Sequence, residues 1–132
     1  VAAETKKRVL VVDDEPSIQD VVRALLERTG LEVVAALDVS TAVLVLRSKP
    51  MPDLVLLDLM MPDVSGFELL RQMRATPIFD KLPIIILSAV ADPDQIRKGL
   101  EMGADRYVTK TYLAHSLART VQEVIRSGRR PK

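Results

Sequence analysis

Five residues of this chain have types and positions suited to shared chemistry. Asp13 and Asp14 close the apolar run 9–12, Asp58 closes the run 54–57, Ser88 closes 84–87, and Lys110 follows a short segment ending at Thr109. Brief apolar runs bounded by polar residues or proline read as strands buried on both faces. In an open parallel sheet, ligands collect outside the carboxyl ends of the strands. Three carboxylates gathered there repel one another and require a counter-charge. A hard cation such as Mg²⁺, held through a few carboxylates with waters retained, suits them. Together with Lys110 it balances the acids, leaving a site prepared to accept a phosphoryl group, with Asp58 as the working residue.

The elements needed to position these residues follow from periodicity. A helix starts at Pro16, with acids beside its amino terminus, and carries Ile18, Val21, Val22, Leu25 and Leu26 as far as Gly30. A strand over 33–36 precedes a helix capped by Asp38 or Ser40 and ending before Pro50. After the 54–57 strand, a loop through Pro62 reaches Gly66, and a helix with Phe67, Leu69, Leu70 and Met73 stops near Pro77. The segment 82–88 is a strand, with Pro83 at its start. Asp92 caps a helix beginning at Pro93 and closed by Gly103; the Gly99–Gly103 spacing reads as part of that helix end. A strand over 105–109 and a last helix over 113–125 complete the chain.

Five strands alternating with five helices predict an α/β fold with a parallel sheet and helices on both faces. The flavodoxin-like order 2-1-3-4-5 suits five strands and places the switch point between the first and third. That order brings Asp13, Asp14 and Asp58 to one crevice.

Composition narrows the class. The 132 residues are 48% hydrophobic, enough for one core, and contain no cysteine, which excludes disulfides and thiol chemistry and fits a reducing cytoplasm. There is no apolar run long enough to span a bilayer and no signal-peptide pattern. The net charge of +1 is uneven. Seven of the 19 basic residues lie in 1–8 and 126–132 with one acid, leaving 12 basic and 17 acidic residues between them. An acidic body argues against direct nucleic-acid binding. The expected domain layout is therefore a tail over 1–8, one domain over 9–126, and a basic, solvated tail or linker stub over 127–132.

The motifs Val-Leu-Val-Val-Asp13-Asp14-Glu15-Pro, Asp58-Leu-Met-Met-Pro62 with Gly66, Ile-Ile-Leu-Ser88-Ala89 and Gly103-Ala-Asp-Arg-Tyr107-Val-Thr-Lys110 resemble the CheY-like receiver domain of two-component response regulators. The likeness runs from about Val9 to Ile125. It implies that Asp58 takes a phosphoryl group from the phosphohistidine of a sensor histidine kinase or of a histidine phosphotransfer protein, giving an acyl phosphate. It further implies Mg²⁺ held by Asp14, Asp58 and the backbone carbonyl of Met60, with Asp13 acting through water. Ser88 and Lys110 would contact phosphoryl oxygens, and Tyr107 would be an aromatic switch coupled to Ser88. The implied output is partner binding or homodimerisation through the face of the fourth helix, fifth strand and last helix. Arg97, Lys98, Glu101, Asp105, Arg106 and Arg119 are candidates for pairing across it.

Two positions depart from the family pattern. Thr111 stands where proline usually follows the lysine, which places the aim of Lys110 in question. Met60 and Val90, each two residues beyond a site residue, are apolar, which implies slow self-dephosphorylation.

Taken singly, the acidic pair reads as a helix cap, Ser88 as a structural hydroxyl and Lys110 as a solvated charge. Their joint placement at four strand ends favours the site. A phosphatase built on an aspartate nucleophile needs a second aspartate two residues on, where Met60 stands. A flavodoxin-like cofactor binder needs a phosphate-cradling first loop, which Asp13-Asp14-Glu15 would repel. The remaining alternative is a receiver-like interaction domain that works without phosphorylation.

Overall fold

The computed structural model describes residues 6–61, 65–89 and 92–130. The strands are β1 (Arg8–Val12), β2 (Glu32–Ala36), β3 (Leu54–Asp58), β4 (Ile84–Ser88) and β5 (Arg106–Thr109). The helices are α1 (Pro16–Glu27), α2 (Val39–Arg47), α3 (Gly66–Ala75), α4 (Pro93–Glu101) and α5 (Leu113–Ser127). Short 3-10 turns at Pro77–Phe79 and Lys110–Tyr112 complete the path. All pairings are parallel, in the expected order β2-β1-β3-β4-β5.

The sheet is covered on both faces because its strands are apolar at both parities. Leu10, Val12, Val55, Leu57, Ile84 and Ile86 share one core with Ala42, Leu46, Leu69, Leu70 and Met73. The alternate residues Val9, Val11, Leu54, Leu56, Ile85 and Leu87 share a second core with Val22, Leu26, Leu117, Val121 and Val124. Helices α2 and α3 thus lie on one face, and α1 and α5 on the other. Alternation of side chains along a strand is the physical cause.

Local chemistry sets the ends. Asp38, Ser65 and Asp92 each accept a backbone N–H in the first turn of α2, α3 and α4. Two glycines are required for packing. A Cβ on Gly66 would lie 2.2 Å from the Asp58 carbonyl oxygen, so only glycine lets α3 start against the end of β3. A Cβ on Gly99 would lie 2.4 Å from Ile86 Cδ1. Gly99 lies in the last turn of α4, as its spacing from Gly103 leads one to expect, and also marks the close approach of α4 to β4.

The expected tails need correction at three residues. Arg8 belongs to β1: its N–H donates to Asp53 Oδ2 at 2.8 Å, and its guanidinium donates to the Pro50 carbonyl at 2.7 Å and pairs with Glu32 at 3.2 Å. At the other end, Arg129 is half-buried and Arg130 exposed, yet neither runs free into solvent. They fold back onto Asp105 and neighbouring carbonyls, because a buried carboxylate and a helix carboxyl terminus both attract guanidinium groups. Residues 1–5, 131 and 132 lie outside the described residues.

Most charges proposed for pairing across a dimer are engaged within the chain. Asp105 is buried, Arg97 pairs with Asp94, Arg106 pairs with Glu123, and Lys98 Nζ sits 4.4 Å over the Phe67 ring.

Gly66→Ala should lower stability by about 1–3 kcal/mol, the usual cost of overpacking, because backbone atoms meet the new methyl. Gly99→Ala should cost less, since its nearest neighbour is the end of the Ile86 side chain. Urea midpoints of the two variants check the ranking.

Candidate functional site

The register of the sheet places the site residues. Val12 is opposite Leu57, so Asp13, the next residue, is level with Asp58. Asp58 is opposite Leu87, Ser88 is opposite Thr109, and Lys110 follows directly. Asp13, Asp58, Ser88 and Lys110 therefore stand along one edge of the sheet because each ends, or immediately follows, a strand.

Asp58 is 3% exposed. Its Oδ1 accepts the Met60 N–H at 2.9 Å, and its Oδ2 accepts from Lys110 Nζ at 3.2 Å. Lys110 Nζ also lies 2.8 Å from Asp13 Oδ2 and 2.8 Å from Glu15 Oε1. The described backbone has its only cis peptide at Lys49-Pro50, so the Lys110-Thr111 bond is trans, and the chain passes straight into the 3-10 turn. Lys110 reaches the acids without the proline.

Four acids, not three, make the cluster. One carboxylate oxygen from each of Asp13, Asp14, Glu15 and Asp58 lies within 4.8 Å of the others. Glu15 was legible as the third acid of its run, yet its contact with Lys110 depends on the exact path between β1 and α1. Asp13 does not cap α1 through its side chain; its Oδ1 accepts the Glu15 N–H at 2.9 Å within the loop.

Electrostatics shows how the cluster is balanced. Burial pushes the Asp13 carboxyl above its usual range, against the lowering effects of Lys110 and the Glu15 N–H; the nearby Asp58 charge adds to the rise. Burial works against the Lys110 charge too, but its contacts with Asp13 and Glu15 and the charges of Asp58 and Asp13 hold its pKa above the ordinary lysine value. Lys110 pairs with three of the four acids, Asp13, Glu15 and Asp58, so by charge count one lysine faces four carboxylates. A compact set of oxygen donors short of positive charge fits a hard divalent cation.

A further residue supports the acidic loop. Gln19 is 6% exposed, and its Nε2 faces the carbonyls of Val11 and Asp13 at 3.0 Å each and of Ala36 at 3.1 Å. It ties the first turns of α1 to the ends of β1 and β2. The sequence carried a signal for it: Gln19 falls on the apolar stripe with Val22 and Leu26. A polar residue at such a position must find buried partners.

The remaining residues are placed as follows. Ser88 is partly buried at the end of β4. Tyr107 is on β5 with its side chain 46% exposed, so the ring is turned outward. The Met60 side chain is 62% exposed, away from the core that holds Met61. Pro62 and Val90 lie outside the described residues. His115, the only histidine, is exposed near Tyr112.

Comparison with known proteins converges on one family. The response regulator receiver domain profile matches residues 9–122. The phosphate regulon transcriptional regulatory protein PhoB of Pseudomonas aeruginosa is 38% identical over 120 residues, which cover 91% of this chain and 52% of that protein. PhoB of Escherichia coli is 36% identical over 120 residues with the same coverage. The chain thus spans about half the length of these relatives. Among solved structures, the chemotaxis protein CheY4 of Vibrio cholerae superposes with a TM-score of 0.83 at 29% identity, covering 91% of this chain and 99% of its own. A CheY-like receiver domain protein of Methanospirillum hungatei gives 0.82 at 27%, covering 92% and 95%. With its sheet order, its acidic edge and a match over most of its length, this chain belongs to the response regulator receiver domains of two-component signalling systems.

Proposed function

We propose that Asp58 is the phosphoacceptor of this receiver domain. The observation that carries the reading is the placement of Asp58: buried at the end of β3, one oxygen on the Met60 N–H and the other on Lys110. In the transfer, an Asp58 oxygen forms a bond to phosphorus as the phosphorus–nitrogen bond of a phosphohistidine breaks, and the electron pair leaves with the imidazole. The donor is a sensor histidine kinase or a histidine phosphotransfer protein.

Asp14, Asp58 and the Met60 carbonyl would hold Mg²⁺, with Asp13 and Glu15 adding negative charge around it. The ion supplies charge neutralisation to the phosphoryl oxygens. Lys110 exchanges part of its carboxylate pairing for a phosphoryl oxygen, and Ser88 donates its hydroxyl to another. Tyr107, exposed on β5, belongs to the α4-β5-α5 face through which we place partner binding or homodimerisation. The protein acts as a signalling module; any turnover is limited to phosphorylation from small acyl phosphates and slow self-dephosphorylation. The domain spans 8–127 extended by the docked Arg129-Arg130, and we place it in the cytoplasm. No helix among the described residues is long and apolar enough to cross a membrane.

Incubation with acetyl phosphate and Mg²⁺ should add one phosphoryl group to the wild type and none to Asp58→Asn, as read by intact mass. An unmodified wild type would refute the mechanism and favour an interaction domain that works without phosphorylation.

Mg²⁺ binding should also weaken as pH falls. Metal binds the carboxylate form, and burial holds the Asp13 carboxyl above its usual range, so protons compete at higher pH than they would for an ordinary aspartate. Titration of Mg²⁺ at several pH values tests this, and a pH-independent affinity from neutral solution down to the ordinary aspartate range would contradict it.

Exposed, apolar Met60 offers no polar group to orient an attacking water. The acyl phosphate should therefore persist well beyond seconds, and timed mass spectra after removal of the phosphodonor give its lifetime.

A further inference from the structure

The Arg129-Arg130 pair is held at one corner of the fold. Arg129 Nε donates to Asp105 Oδ1 at 3.0 Å, its Nη1 to the Asp80 carbonyl at 2.9 Å and its Nη2 to the Gly103 carbonyl at 2.9 Å. The Arg130 N–H donates to Asp105 Oδ1 at 3.2 Å, its Nε to the Ala104 carbonyl at 3.0 Å and its Nη2 to the Leu100 carbonyl. Three of these carbonyls belong to the last turn of α4 or the residues just beyond it, where the helix dipole favours cations.

We infer that this pair is a releasable latch, coupled through β5 to the phosphoacceptor site, that sets where the chain runs after α5. The coupling to phosphorylation rests on the reading of Asp58 given above. Release is feasible because it strands no buried charge. Asp105 Oδ2 retains Arg74 at 3.1 Å and the Ile84 N–H at 2.9 Å, and the Gly103 carbonyl retains Arg74 Nε at 2.9 Å. Docking also has a built-in opposing force. Arg74 is pushed down to about 10, first by its burial and then by the charge of Arg129. Two guanidinium groups share one carboxylate, so the docked state is opposed by their repulsion as well as favoured by its hydrogen bonds.

The coupling is a matter of chain geometry. Strand β5 has four residues, about 13 Å at the usual rise per residue. Asp105 immediately precedes it, carrying the latch, and Lys110 immediately follows it, holding Asp58. Its outward residue Tyr107 lines the same groove as Leu100 and Arg130. A displacement of Lys110 is therefore passed along a short, hydrogen-bonded strand to the acceptor corner. By reciprocity, the latch biases the site by the same free energy.

Limited trypsin digestion of the 132-residue protein tests both parts, because the Arg129–Arg130 bond is a substrate only when undocked. Cleavage at Arg23, in the middle of α1, serves as the internal reference for global opening. In the resting protein the Arg129–Arg130 bond should be cut about tenfold or more slowly than in a free peptide of residues 127–132, since cleavage follows the open population. Lys110→Ala should accelerate that cut severalfold with no matching rise at Arg23. Acetyl phosphate with Mg²⁺ should change it severalfold in the wild type but not in Asp58→Asn. A peptide-like rate in the resting protein overturns the latch. A Lys110→Ala rate that changes only in step with Arg23 overturns the coupling, as does an unchanged rate in protein whose mass shows the added phosphoryl group. Absence of that mass refutes the phosphoacceptor reading instead, and the resting rate and the Lys110→Ala comparison still decide the latch and its coupling to Lys110.

Discussion

The structure depends on an electrostatic imbalance held at the carboxyl edge of a parallel sheet. Asp13, Asp14, Glu15 and Asp58 bring four carboxylates within a few ångströms, and among the described residues Lys110 is the cation that pairs with three of them. Burial sharpens the conflict, since charges removed from water interact more strongly and are costlier to hold. The fold sustains this because the rest of the domain is conventional. Two apolar cores clamp the sheet from both sides, and the acids occupy the end of β3 and the turn that follows β1, beyond the buried residues Val9–Val12 and Leu54–Leu57. The imbalance is thus localised, and it falls where phosphoryl transfer needs cationic help.

Positioning depends on register more than on loops. Asp58 and Ser88 are themselves strand residues, while Asp13 and Lys110 are the first residues beyond their strands. Their separation is therefore governed by ladder hydrogen bonds between neighbours. Gly66 adds a second constraint, bringing the start of α3 onto the Asp58 carbonyl. Lys110 shows the strength of this arrangement. It reaches Asp58 across a trans peptide and without the proline usual at the next position, because β5 delivers it to the right edge.

Much of this was legible in the sequence. The apolar runs are too short and too uniformly hydrophobic for amphipathic helices, so the strands and the two-sided burial follow from pattern alone. The acids, Ser88 and Lys110 were found because they terminate those runs. What escaped were partners distant in sequence. Nothing local connects Arg74, Asp105 and Arg129, yet they form one ion-pair group in which Asp105 is almost fully buried. A basic stretch after the last helix reads as a solvated tail unless its acceptors are known. Gln19 was hidden for a similar reason: its partners are carbonyls, which every residue has. Gly99 was read through its spacing from Gly103, whereas its constraint comes from Ile86 on another element.

Gln19 has a consequence beyond holding two strands and a helix together. The Asp13 N–H donates to the Ala36 carbonyl at 3.0 Å, its carbonyl faces Gln19 Nε2, one carboxylate oxygen takes the Glu15 N–H and the other meets Lys110. No polar atom of Asp13 is left to choose its own partner. The conformational entropy of Asp13, about 1–2 kcal/mol for its backbone, is thus given up when the chain folds and not when a ligand arrives at the acidic edge.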